Sequence, residues 1–160
     1  MARLREYLES HFLTFPPDAA QWHEYLASVR AIQGNLSNDG SFIATLLAKA
    51  FIAARHGASF DAAEKPQGAP GIDVLLTAPD GTKIAAEIKT TVPYNGPDFG
   101  AQQAASFKKD FEKLAASNAD AKYLLVTNHL AFEALKRPKY TRQMPGVRIV
   151  DLVSGKEHVA

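Results

Sequence analysis

The chain contains no cysteine in its 160 residues, which excludes a disulfide-stabilised scaffold, thiolate zinc sites and a cysteine nucleophile. The lack of thiols also favours a cytoplasmic location. No apolar run approaches the roughly 20 residues that a membrane-spanning helix needs. The charged start of the chain, MARLREYLESHF, does not have the apolar region of a signal peptide. We therefore expect a protein that makes no contact with a membrane.

An excess of charge of either sign is also missing, because the formal net charge is only +1. Such a balance neither predicts nor excludes nucleic acid as a partner, since the local distribution of charge decides binding. Glycine-rich phosphate-binding motifs are absent, and the five histidines do not have the spacing of metal ligands. These absences argue against a nucleotide-binding fold and against a histidine metal site.

The first 33 residues read as a helical extension of the protein. Apolar residues at helical spacing predict one helix over residues 2–12 and a second helix that Asp18 caps and Gly34 ends. The second helix has an apolar stripe that includes Trp22 and Tyr25. This stripe either packs on the rest of the protein or forms the contact of a homodimer.

Residues 34–160 alternate helical and strand patterns, which predicts a core domain with helices covering a mixed sheet. Its first helix has a broad apolar face and ends before Gly57, so we expect it to be a buried core helix. The further predicted elements are strands at 58–62, 74–76 and 84–88, a helix at 99–117, a strand at 123–127, a short helix at 131–136 and a strand at 147–153. The long helix between two strands predicts that those strands are parallel neighbours.

The segment IDVLLTAPDGTKIAAEIKTT, residues 72–91, predicts a β-hairpin. Two apolar strands flank Pro-Asp-Gly, and Asp-Gly is a strong signal for a tight turn. A turn centred on Asp80 and Gly81 would put Asp73 roughly opposite Ile88 and beside Glu87.

Three charged side chains converge on this apolar hairpin. Glu87 and Lys89 share one face of their strand, because residues two apart project to the same side, and Asp73 lies close to them. Two carboxylates beside one ammonium are the minimum set that holds a divalent cation and activates a water against a phosphodiester. The alternative is a structural cluster in which Lys89 neutralises Glu87.

This motif and this order of elements resemble the PD-(D/E)XK nuclease superfamily, whose fold is that of the restriction endonucleases. The resemblance covers roughly residues 35–128, with GID ending at Asp73 and EIK at residues 87–89. The proline of the family motif precedes its acid directly, whereas here Ile72 precedes Asp73 and Pro70 lies three positions before it. The resemblance implies an α/β fold with a mixed sheet and an αβββαβ core, to which the N-terminal helical extension is added.

The resemblance also implies the roles of the site residues. Asp73 and Glu87 would bind Mg²⁺, for which Mn²⁺ can substitute, and the Ile88 carbonyl would be a third ligand. Lys89 would orient or deprotonate the attacking water, or stabilise the charge that develops on phosphorus. Many members add an acid from the first core helix, and the candidate here is Asp39, which otherwise caps that helix.

Further residues are candidates for auxiliary contacts. Gln102 and Gln103 open the helix after the catalytic strand, where similar nucleases often carry a polar residue near the metal, and otherwise they belong to a solvated first turn. Lys108 and Lys109 either follow a nucleic-acid backbone or form an exposed charged face, and we expect Lys113 to point largely outward with them.

The segment from Ala134 to Val150 has five basic residues and no acid. It either contacts phosphates or is a solvated basic loop. The residues that we assign to nucleic-acid contact in this segment are Lys136, Arg137, Lys139 and Arg142.

The first hypothesis for function is a Mg²⁺-dependent endonuclease that hydrolyses phosphodiester bonds in DNA, in a restriction or repair system. Restriction enzymes of this fold commonly act as homodimers, because cutting two strands takes two sites. One alternative is a nuclease-fold subunit that needs a partner in a larger complex. Another is a non-catalytic module that binds nucleic acid.

Overall fold

The computed structural model of the protein describes residues 19–34, 36–65, 68–94, 96 and 98–160. The predicted helix over residues 2–12 and the predicted cap at Asp18 lie outside these ranges, and of Trp22 only the backbone is described. By its internal contacts the chain separates into two compact units, Met1–Asp39 and Gly40–Ala160.

The described residues form five helices and five strands, so the protein is of the mixed α/β class. The helices are α1 (Ala19–Gln33), α2 (Leu36–His56), α3 (Ala101–Ala116), α4 (His129–Leu135) and α5 (Pro138–Thr141). The strands are β1 (Val74–Thr77), β2 (Lys83–Lys89), β3 (Ala121–Val126), β4 (Arg148–Asp151) and β5 (Glu157–Val159).

 Within residues 40–160 the architecture is one mixed sheet with helices packed against both faces.

The five strands form one sheet in the order β1-β2-β3-β4-β5. The three central strands are parallel to one another, as predicted for the two strands that flank α3, and both edge strands are antiparallel to their neighbours. Parallel neighbours need a crossover connection, which α3 supplies between β2 and β3. The carboxyl ends of β2, β3 and β4 therefore lie at the same edge of the sheet.

Side chains alternate between the two faces of the sheet, and each face has its own core. Ala85 and Leu124 point to the face where α3 packs through Phe107, Phe111 and Leu114. The residues that point to the opposite face, where α2 packs through Ala48 and Ile52, are Ile84, Ala86, Tyr123, Leu125 and Val150. Because Glu87 and Lys89 follow Ala85 at intervals of two, they project toward α3.

The prediction that α2 is a buried core helix is wrong for most of its apolar face. Its buried positions are Ala44, Ala48 and Ile52, spaced four residues apart, so only a narrow stripe meets the sheet. The large apolar residues of α2 that remain exposed are Phe42, Ile43, Leu46 and Leu47. The small alanines allow close packing, and the larger side chains lie on the other side of the helix.

The predicted strand at residues 58–62 is also wrong. Residues 58–61 have no regular structure, and a turn follows at residues 62–64, where the amide of Ala63 donates to the Asp61 carboxylate over 2.9 Å. Such a local side-chain bond competes with strand pairing. The described part of the core therefore runs α2-β1-β2-α3-β3, with two strands before α3 where the αβββαβ core has three.

Candidate functional site

The hairpin brings Asp73 and Glu87 together, with a register one residue away from the predicted one. Val74 pairs with Ala86, so Asp73 lies level with Glu87 and not with Ile88. The difference arises at the turn, where the amide of Ala78 donates to the Thr82 carbonyl over 2.8 Å. That bond encloses three loop residues, and the last of them is Gly81, with φ of 90°. Three-residue loops of this kind are the commonest hairpin connections after two-residue turns.

The Asp73 carboxylate is fixed by the backbone of the neighbouring strand. The amide of Ile88 donates to Asp73 Oδ2 over 2.8 Å. The side chain of Asp73 is half-buried, so one of its oxygens is held by protein while the group keeps access to solvent. The resemblance assigns the Ile88 carbonyl to the metal, and that assignment stays a prediction.

Glu87 is the most unusual carboxyl group of the site, since only 1% of the residue is exposed. Burial and then the nearby charge of Asp73 raise its pKa to about 8, although a hydrogen bond from Lys113 opposes both effects. A buried carboxylate beside a second carboxylate is unfavourable unless a proton or a cation joins the pair. The site therefore has a demand for positive charge.

Lys113 on α3 meets part of this demand, and the prediction that it points outward is wrong. Its Nζ lies 3.1 Å from Glu87 Oε1 and 3.1 Å from Asp110 Oδ1. The partner of Glu87 is thus Lys113, whereas the predicted structural cluster had Lys89 neutralising Glu87. Burial lowers the pKa of Lys113, but the hydrogen bonds to Glu87 and Asp110 outweigh burial, and the pKa is raised overall.

Lys89 pairs with a different acid. Its Nζ lies 2.7 Å from Asp110 Oδ2, and Asp110 is 3% exposed. This contact is an ion pair, and Asp110 Oδ2 has no hydrogen-bond partner among the described residues. Asp110 thus stands between two ammonium groups, and the site has three acids and two lysines.

Sequence reasoning missed Asp110 and Lys113, although a signal for Asp110 exists. Phe107, Phe111 and Leu114 form the inward stripe of α3, and residue 110 belongs to the same stripe because it follows Phe107 by three positions. An acid on an otherwise apolar inward face needs a buried cation. The helix register thus indicated a charged contact with the sheet.

The donor chemistry of the site partly fits a divalent metal ion. Asp73 and Glu87 supply the hard carboxylate oxygens that Mg²⁺ prefers, and Mg²⁺ keeps several waters, so few protein ligands are needed. However, no group of three or more acidic, histidine or cysteine residues suited to holding a metal exists among the residues that the structure describes. Asp39 lies in the first turn of α2 and belongs to the other compact unit, so its role stays a prediction.

Gln103 contacts the protein backbone in this structure. Its amide nitrogen donates to the Val92 carbonyl over 2.7 Å, and its oxygen accepts from the amide of Gly100 over 3.2 Å. These bonds tie the loop after β2 to the first turn of α3. Gln102 is exposed in the same turn.

The lysines on the outer side of α3 form an exposed face. Lys108 lies 3.9 Å from Glu112, and both side chains are about two-thirds exposed. Lys109 is exposed too. Both remain candidates for nucleic-acid contact.

Most of the basic segment is paired with acids. Asp98 accepts from Lys139 and, over 2.8 Å, from the hydroxyl of Tyr140, and Arg137 lies 3.2 Å from it. The hydrogen bond from Lys139 lowers the pKa of Asp98 to about 2, with further contributions from Tyr140 and from the amide of Phe99. Lys136 bonds to Glu133 over 2.9 Å, while Arg142 is exposed. The positive charge available to a phosphate is therefore smaller than the sequence suggests.

Comparison of the chain with protein-family models, with curated proteins and with solved structures finds no match. Within the described residues, no helix is long and apolar enough to cross a membrane.

Proposed function

We propose that the protein is a Mg²⁺-dependent nuclease that hydrolyses phosphodiester bonds in DNA. The observation that carries this proposal is the mutually repelling pair of the half-buried Asp73 and the buried Glu87 at the end of the hairpin, with Lys113 bonded to Glu87 and Lys89 paired with Asp110. A carboxylate pair of this kind has a high affinity for positive charge. A restriction or repair system, and action as a homodimer, are parts of the same proposal.

In this proposal Asp73 and Glu87 would hold the ion, which would supply Lewis acidity for the attack on the phosphodiester. Asp73 is oriented by the amide of Ile88, and Lys89 is held by Asp110 at the same edge of the site. The ammonium of Lys89 stabilises the negative charge that develops on the phosphate during attack.

Replacement of Lys89 by methionine tests this assignment. We expect Mg²⁺-dependent nicking of a supercoiled plasmid to fall by about 100-fold or more, because a preorganised charge at the reacting group is lost. The matched control is Lys83→Met, which removes the same charge from an exposed position at the start of β2 and should leave nicking within about twofold of the wild-type rate.

Thermal denaturation must accompany the assay, because Lys89 lies against the buried Asp110. Lys89→Met should therefore lower the melting temperature, and the rate is compared at a temperature where both variants are folded. Equal nicking by Lys89→Met and Lys83→Met would refute the catalytic role of Lys89.

One observation favours a second candidate function, a non-catalytic module that binds nucleic acid. Lys113 already donates to Glu87 over 3.1 Å, so Glu87 has a cationic partner without a metal. A protein that neither binds Mg²⁺ in calorimetry nor nicks plasmid would support this candidate. Mg²⁺ binding without nicking would instead support a subunit that cleaves only with a partner.

A further inference from the structure

The contact of Lys113 with Glu87 occupies an atom that a metal ion would need. Lys113 Nζ lies 3.1 Å from Glu87 Oε1, and Glu87 is 1% exposed, so the carboxylate has little other surface to offer. An ammonium and a divalent cation repel each other at such a distance. Binding of both to this oxygen at the same time is therefore unfavourable.

Lys113 is able to leave Glu87 without leaving the site. Its side chain is 37% exposed, in contrast to the buried Glu87, so the ammonium has access to solvent. Asp110, three residues earlier on α3, binds the same ammonium through Oδ1 over 3.1 Å. This second contact does not involve Glu87 and would persist after the first is broken.

We propose that Lys113 is a further functional residue of this site, whose ammonium occupies Glu87 in the metal-free protein and gives up that carboxylate to a divalent cation, while Asp110 keeps the ammonium beside the site. This inference rests on the proposed metal-dependent function. It adds a second lysine to the one that the motif contains, and it makes cation binding a competition between Lys113 and the metal ion.

Lys113→Met and the control Lys109→Met separate this role from a general effect of charge. Mg²⁺ binding is measured by calorimetry at increasing pH, and affinities are compared on the alkaline plateau where they no longer change with pH. We expect Lys113→Met to bind Mg²⁺ about tenfold more tightly than wild type, because no charge-assisted hydrogen bond to Glu87 has to be broken. Lys109→Met should bind within about twofold of wild type.

A second measurement does not depend on the folding of a variant. Crystal structures of the wild-type protein with and without Mg²⁺ give the distance between Lys113 Nζ and Glu87 Oε1, which should exceed hydrogen-bonding distance once the ion is bound. Plateau affinities of Lys113→Met no higher than those of Lys109→Met, or an unbroken Lys113–Glu87 contact beside bound Mg²⁺, would overturn the role of Lys113 and leave the metal site intact. Absence of Mg²⁺ binding to the wild type would overturn the proposed function and this inference with it.

Discussion

Replacing Glu87 by glutamine should stabilise the metal-free protein at alkaline pH. Glutamine resembles the protonated form of the carboxyl group in shape and has no charge to bury. The pKa of Glu87 rises from an ordinary 4.5 to about 8, because the group is buried and lies beside Asp73. The wild-type protein must therefore either keep a proton on Glu87 or bury its charge, whereas the variant does neither.

The direction of the pH effect follows from proton linkage. A group with a higher pKa in the folded protein than in the unfolded chain contributes stability that is complete below the unfolded value, and the contribution is lost as the pH rises through the folded value. For Glu87 the loss extends from about pH 4.5 to about pH 8. Each pKa unit is worth about 1.4 kcal/mol, so the wild type loses roughly 4 kcal/mol at most between pH 5 and pH 9. We expect a loss of about 2 kcal/mol, because Lys113 is partly exposed and water beside its ammonium can partly solvate the carboxylate.

Urea denaturation in the presence of EDTA measures this difference at pH 5, 7 and 9. The free energy of unfolding of Glu87→Gln should equal that of wild type at pH 5 within about 1 kcal/mol and exceed it by about 2 kcal/mol at pH 9. The control is Glu112→Gln, because Glu112 is two-thirds exposed on α3 and its variant should follow the wild-type curve. Parallel curves for wild type and Glu87→Gln would refute the argument that Glu87 is buried with a raised pKa.

Two further predictions concern the loop between β2 and α3. Asp98→Asn should lower the free energy of unfolding at pH 7 by about 1–2 kcal/mol, because the carboxylate accepts from Tyr140 and pairs with two cations. The difference from wild type should shrink as the pH falls through about 2, where Asp98 itself becomes protonated. A difference that stays unchanged in acid denaturation would contradict this. Gln103→Ala should leave α3 folded but speed hydrogen exchange at the amide of Gly100, because that amide donates to the Gln103 side chain over 3.2 Å. Unaltered protection of the Gly100 amide would show that the bond does not hold the loop.

The hairpin was predictable because its signals are local. Apolar alternation identified both strands, and Asp80-Gly81 identified the turn, so the meeting of Asp73 and Glu87 followed from the sequence. The register error of one residue arose because Asp-Gly is compatible with a two-residue turn and with the three-residue turn that forms here. The error did not separate the two acids, since the turn changes the offset by a single position.

The lysine contacts of the site were not predictable in the same way, because they depend on packing between elements distant in sequence. Lys113 lies 26 residues after Glu87, and its spacing on α3 is compatible with the exposed face as well as with the boundary of the buried face. Its flexible side chain reaches the sheet only because α3 packs over the face that Glu87 shares with Ala85. Likewise, the exposed apolar face of α2 arises because small alanines meet the sheet. Periodicity alone does not show which side of a broad apolar face packs against the sheet.

The balance of charge in the site argues against a cluster that serves stability alone. When all the groups are ionised, Asp73, Glu87 and Asp110 carry three negative charges, and Lys89 and Lys113 carry two positive ones. One negative charge is left without a partner, and burial together with the charge of Asp73 raises the pKa of Glu87. An apolar residue at position 87 would continue the core that Ala85 begins, and replacement of buried ions by apolar groups often stabilises a protein. The carboxyl group of Glu87 therefore lowers stability when no cation is bound, and such a cost is expected of a residue that serves binding.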